Sequence, residues 1–143
     1  MFILQESPIN ITQARNSHHS PNDGTLVNFE GMVRADDIKA SHTAALLYIA
    51  DTAACRQEGE KIIKEVLSQF PITHAVCIQR TGKLNVGETA VWIGVWAGHR
   101  DEAFKACRYI IEAVKKRLHI WKKEFLADGT AAWVRGKETP VVT

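Results

Sequence analysis

Apolar positions along the chain follow two periods, and the switches between them outline the elements. Phe2 to Gln5 reads as a short strand. Ile9 to Arg15 reads as a short helix that Ser7 caps with Pro8 in its first turn. Polar residues, glycine and proline fill Asn16 to Gly24, an expected exposed loop. Thr25 to Val33 alternates in part and is bounded by glycine, which predicts a strand, and Ala35 to His42 is polar enough for a mobile connection. Ala44 to Ala50 is an apolar run suited to a buried strand. Thr52 is placed to cap a helix in which Gly59, Ile62, Ile63, Val66, Leu67 and Phe70 recur at helical spacing until Pro71 stops it.

Ile72 to Arg80 and Thr89 to Ala97 read as strands, and the turn residues of Thr81 to Glu88 between them make an antiparallel pair the expectation. Asp101 or its neighbour opens a second long helix whose apolar stripe is Ala103, Phe104, Cys107, Ile110, Ile111, Val114 and Leu118. Ile120 to Leu126 and Thr130 to Arg135 are strands on either side of an Ala127-Asp128-Gly129 turn, and the tail at 136–143 is expected to fray. The order predicts a single α+β domain over residues 1–143, with mainly antiparallel strands and two long helices rather than a parallel βαβ array.

Composition narrows the function classes. With 143 residues, 45% hydrophobic and 24% charged, the chain has the make-up of one ordinary globular domain. A net charge of +2 does not fit a protein that coats polyanions, and no DNA- or RNA-binding motif is present. The charge is unevenly spread, however. Ala113 to Lys123 holds five cations and no acid, so the other thirteen Lys and Arg are outnumbered by sixteen Asp and Glu. A positive site on a mildly acidic body suits a compact anionic ligand or an acidic partner segment.

Cys55, Cys77 and Cys107 are odd in number and outside any C-x-x-C pair, and they read as buried, reduced thiols rather than a disulfide framework, a zinc knuckle or sulfur carriers. His18 and His19 are adjacent, and His42, His74 and His119 lack ligand spacing, so no metal is expected. Neither a G-x-G-x-x-G nor a P-loop is present, which leaves no support for a nucleotide cofactor, and no G-x-S-x-G elbow marks a hydrolase. No apolar run approaches the ~18 residues that cross a bilayer, and the expected location is the cytoplasm.

The densest candidate chemistry is Lys115 to Glu124, which crosses from helix to strand. Strand alternation puts Ile120, Lys122 and Glu124 on one face, where Lys122 can converge with Lys115 from the last helical turn. Crowded ammonium groups disfavour their charged form and yield a lysine able to act as base or nucleophile, against which the helix C-terminus works. The alternative is that Lys115, Lys116 and Arg117 complement the helix dipole while Lys122 and Lys123 sit on a solvated edge strand. Gly98-His99-Arg100 lies where a strand meets a helix start, a place for an anion or for ordinary capping by Asp101 and Glu102. Arg34, just after a strand, is either a third anion ligand or an exposed arginine.

Taken in order, Asp23-Gly24, Phe29-x-Gly31-x-Val33-Arg34, Arg80-x-Gly82-x-Leu84-x-x-Gly87-Glu88, Gly94-Val95, His99-Arg100 with Ala103-Phe104, Lys115, Trp121-Lys122-Lys123-Glu124 and Trp133-Val134 resemble the large, catalytic subunit of molybdopterin synthase. The resemblance spans about residues 23 to 135. It implies an α/β hammerhead-type fold in a homodimer with a small ubiquitin-like subunit at each end, a heterotetramer in all. The implied reaction converts cyclic pyranopterin monophosphate (precursor Z) to molybdopterin, with sulfur transferred from the Gly-Gly thiocarboxylate at the small subunit's C-terminus. By the same resemblance Lys115 and Lys122 are the catalytic lysines. Arg34, His99 and Arg100 are substrate and phosphate contacts, Met32, Val33, Lys123 and Glu124 line the site, and part of the pocket, Arg34 included, crosses the dimer interface. Two places depart from the family pattern. Leu47-Tyr48-Ile49-Ala50-Asp51 stands where a glutamate and an aromatic residue are usual, and His119 stands where proline is usual. A diverged, non-catalytic anion- or partner-binding module with the same fold is the alternative reading.

Overall fold

The computed structural model describes residues 1–35 and 43–133. Its elements are β1 (Phe2–Gln5), α1 (Ile11–Arg15), β2 (Thr25–Met32), β3 (Thr43–Ala50), α2 (Thr52–Gln69), β4 (Ile72–Arg80), β5 (Gly82–Asn85), β6 (Thr89–Ala97), α3 (Arg100–Arg117), β7 (Ile120–Leu126) and β8 (Ala131–Trp133). They form two four-stranded sheets, ordered β1-β4-β6-β2 and β5-β3-β7-β8. Only β1 and β4 pair in parallel among the described ladders; the β4–β6 pair is antiparallel, as the intervening turn predicts. The α+β class is the one expected from the sequence. Among the described residues, no helix is long and apolar enough to cross a membrane.

β6 and the Ala75–Ile78 stretch of β4 are continuously apolar and buried because the first sheet is covered on both faces. Ala75 and Cys77 join Ile62, Ile63, Val66, Ile93, Val95 and Ile110 in the core beneath α2 and α3. Val76 and Ile78 face the other way, with Trp92, Trp96 and Ala14 of α1. Gly59 lets α2 settle on β1, since a Cβ there would lie 2.3 Å from the buried Phe2 ring.

Local caps differ from expectation. Asn10 caps α1, its Oδ1 accepting from Gln13 N–H at 3.0 Å, so α1 starts beyond Pro8 and Ser7 plays no capping part. Asp51 caps α2 by accepting from Ala54 N–H, one residue before Thr52, because a carboxylate reaches the exposed amides at least as well as a hydroxyl. The Thr81 to Glu88 segment is more than a turn. β5 forms inside it, pairs with β3 and buries Leu84 completely, while Gly82 and Gly87 take the left-handed conformations of its ends. One apolar residue in four is too short a pattern to betray a strand whose partner lies far back in the chain. Arg80 is buried beside it, donating from Nε and Nη2 to Glu6 O at 3.2 and 2.9 Å. The expected connection at Ala35 to His42, apart from Ala35, and the tail at 136–143 lie outside the described residues.

Gly59→Val forces the Phe2 ring aside in a close-packed core, which costs roughly 1–3 kcal/mol. Urea unfolding is expected to show a lower midpoint with an unchanged slope; an unchanged midpoint would show that β1 yields freely.

Candidate active site

Helix α3 buries Ala103, Ala106, Cys107, Ile110, Ala113 and Val114 on one side, which leaves Lys115 outside the core at the start of its last turn. The helix stops at Leu118, which is buried, takes an extended conformation and donates its N–H to Val114 O at 3.2 Å. Ile120 begins β7 at once. Asp51 N–H donates to His119 O at 3.1 Å, which ties this reversal to the start of α2, so the exposed His119 serves here through its carbonyl.

β7 runs antiparallel to β3, with Lys122 opposite Tyr48 and Glu124 opposite Leu46. Side chains alternating along β7 send Lys122 and Glu124 to the same face. That face meets the end of α3 and the end of β2 around a cavity of about 400 Å³, which Lys115, Lys122, Glu124, Tyr48, Met32 and Arg34 border. Val33 and the buried Gln79 complete its wall. Gln79 is held there by donating Nε2 to Ala90 O at 3.2 Å and Arg80 O at 3.0 Å. The site thus presents cations, one carboxylate and a phenol over an apolar floor that includes Leu46, Val91 and Ile111.

Six of the nine residues singled out in the sequence come together: Lys115, Lys122, Met32, Val33, Arg34 and Glu124. Arg34 borders its own chain's cavity. Lys123 does not border it; its ammonium lies 5.8 Å from the Trp133 ring centroid, on the other face of β7. His99 and Arg100 are exposed at the far end of α3, about 22 Å along the helix axis from Lys115. His99 makes no side-chain cap, and Asp101 pairs instead with Lys105 at 3.0 Å.

The end of α3 that carries Lys115 is anchored by Arg117. Arg117 turns from the last turn of α3 onto α2, donating Nε to Glu58 at 2.7 Å and its two terminal nitrogens to Glu65 at 2.6 and 2.9 Å. Tyr109 OH donates to the same Glu65 carboxylate at 2.9 Å. The Arg117 guanidinium, with the Tyr109 hydroxyl, holds Glu65 below its ordinary 4.5. This fork ties the last turn of α3, which carries Lys115, to α2.

The three cysteines are buried. Burial pushes the Cys107 thiol up to about 11 and the Cys77 thiol further still, so neither is a thiolate near neutrality. Cys107 borders a second, more apolar hollow of about 580 Å³ with Val27, Phe29, Phe104, Ile111 and Lys115. Tyr48 and Gln79 are the wall residues that reading the sequence missed. Tyr48 was marked by a phenol inside an otherwise apolar strand and by its place in the segment that departs from the family pattern, whereas Gln79, beside Arg80 at the polar end of β4, carried no signal. The expected open loop after α1 is also partly pinned, with His18 stacked 4.5 Å from His74 and 3.2 Å from Asp23.

The family described as MoaE protein matches residues 4–117 of the chain. The molybdopterin synthase catalytic subunit of Pyrococcus abyssi is 38% identical over 141 residues, covering 98% of this chain and 94% of that protein. Its counterpart from Thermoplasma volcanium is 35% identical over 130 residues, covering 91% of this chain and 94% of that one. Among solved structures, molybdopterin synthase from Staphylococcus aureus superimposes with a TM-score of 0.86 at 32% identity, over 93% of this chain and 96% of its own.

The Arg117 fork predicts an acid-side stability loss. A carboxyl held low in the folded state stabilises fully above its unfolded value of about 4.5 and loses that contribution as pH falls through the folded value. Glu65→Gln is expected to be less stable than the parent at pH 7, with the gap narrowing toward about pH 3.5. Urea midpoints at both pH values check this, and a gap independent of pH would refute it.

Proposed function

The chain belongs to the MoaE family, and from that premise we propose that it is the catalytic subunit of a molybdopterin synthase, converting cyclic pyranopterin monophosphate to molybdopterin. Sulfur comes from the thiocarboxylated C-terminus of a small ubiquitin-like subunit bound to this chain, and this chain contributes the site. The observation that carries the reading is the meeting of Lys115 and Lys122, from two different elements, on one cavity with Arg34. A phosphate and a thiocarboxylate are both anions, and the cation cluster suits both. Three buried cysteines, with the Cys77 and Cys107 thiols kept neutral, fit a chain that does not carry the sulfur itself.

In this reading Lys115 and Lys122 move protons and steady anionic or acyl-linked intermediates as sulfur is delivered to the pterin side chain. Arg34 holds the substrate's phosphate, while Met32, Val33 and Glu124 shape the wall beside it. Lys123, on the other face of β7, lies outside the cavity and adds only to the positive charge around it. His99 and Arg100 are too far along α3 to reach the cavity of their own chain, and they serve the cavity of a second copy in a homodimer. The assembly is then a heterotetramer, and cytoplasmic residence accords with its soluble substrate and partner.

The deciding experiment is product formation from cyclic pyranopterin monophosphate with a thiocarboxylated small subunit. Lys115→Ala and Lys122→Ala are each expected to lower turnover by about 10²-fold or more while dimer and small-subunit binding persist. Unchanged turnover in both would overturn the assignment. Mixing Lys115→Ala chains with Arg100→Ala chains is expected to restore about a quarter of wild-type activity, because half the dimers carry one intact site. No recovery on mixing would remove the second copy from the site.

A further inference from the structure

Lys122 and Tyr48 stand directly opposite each other in the antiparallel β7–β3 ladder, so their side chains share one face. That face is the cavity wall, which both border. The Lys122 ammonium lies 5.6 Å from the centroid of the Tyr48 ring, within the range of a cation held over a π face. Tyr48 is only 7% exposed and packs into the main hydrophobic core, which holds the ring in place beside the cavity. Two other lysines of this sheet also lie over rings, Lys83 over Phe125 and Lys123 over Trp133, but neither pair borders the cavity.

We propose that Tyr48 is a positioning residue for the reaction, its buried ring seating the Lys122 ammonium where the substrate's reacting atoms lie. The inference rests on the catalytic role given to Lys122 above. A long, four-carbon side chain on a strand samples many rotamers, and a rigid apolar plate with a negative face selects those that keep the charge over the cavity. The ring attracts the ammonium without itself carrying charge, since burial raises the Tyr48 phenol above its ordinary 10. Among the described residues, the other charged groups on this cavity are Arg34, Lys115 and Glu124. Glu124 is two residues from Lys122 on the same strand face.

The role belongs to the ring and not to the hydroxyl, which sets the test. Tyr48→Leu is expected to lower kcat roughly tenfold with little change in KM, and Tyr48→Phe to recover most of that loss. In a Lys122→Ala background, Tyr48→Leu is expected to add little, because the two act as one unit. Independently of turnover, the ε-methylene protons of Lys122 are expected to resonate upfield in the wild type and in Tyr48→Phe, and to lose that shift in Tyr48→Leu. Tyr48→Phe falling as far as Tyr48→Leu would overturn the ring's role, as would additive losses in the double variant or the absence of the upfield shift. If Lys122→Ala leaves turnover intact while the shift is present, the seat stands as a structural fact, and both the catalytic reading of Lys122 and the positioning role proposed for Tyr48 fall.

Discussion

The site depends on the chain ceasing to be helical at Leu118. Lys115 and Lys122 are seven residues apart, and an uninterrupted helix would hold them about 10 Å apart on one exposed stripe. The buried Leu118 side chain and the extended backbone that follows turn β7 back toward the helix end. Two like charges then share one cavity, a costly arrangement in a mobile chain that survives because both supports are rigid. One support is the Arg117 fork onto Glu58 and Glu65, and the other is the β3 ladder beneath β7.

The remainder of the fold serves those supports. The first sheet, with helices on one face and α1 on the other, gives α3 a fixed bed, and its apolar strands are buried from both sides. The second sheet is smaller and less buried, and its β3 and β7 carry the working side chains. Chemistry placed at the joint between the larger sheet and the lighter one leaves room for the substrate and partner tail of the proposed reaction without opening the main core. The opposite end of α3, with exposed His99 and Arg100, is the part of the proposed site that one chain leaves apart.

Much of this was legible beforehand because it rests on local rules. Strand and helix limits followed the apolar period closely at β1, β4, β6 and β7, where burial or alternation is unbroken. β5 escaped because Gly82 to Asn85 has a single buried side chain and owes its existence to β3. The caps slipped because α1 starts at Ile11, beyond the reach of Ser7, and because Asp51 stands one residue ahead of Thr52 and takes the Ala54 amide. The pinning of His18 against His74 joins residues far apart in the chain, which no spacing within either segment reveals.

By itself the sequence determined the α+β class, the two long helices, the cation-rich turn at Lys115 to Lys123, and a family resemblance carried by an ordered set of short motifs. Those follow from periodicity, composition and residue identity, which are properties of neighbours along the chain. Tertiary structure alone decided which face each cation takes. It put Lys122 and Glu124 on the cavity and Lys123 behind it, and brought Arg34 beside Lys115. It also separated His99 and Arg100 from that cavity by the length of α3, and set Tyr48 under Lys122. The physical reason is register: a strand's alternation fixes which residues go together, but only pairing with β3 and packing against α3 fix which of the two faces becomes the inside.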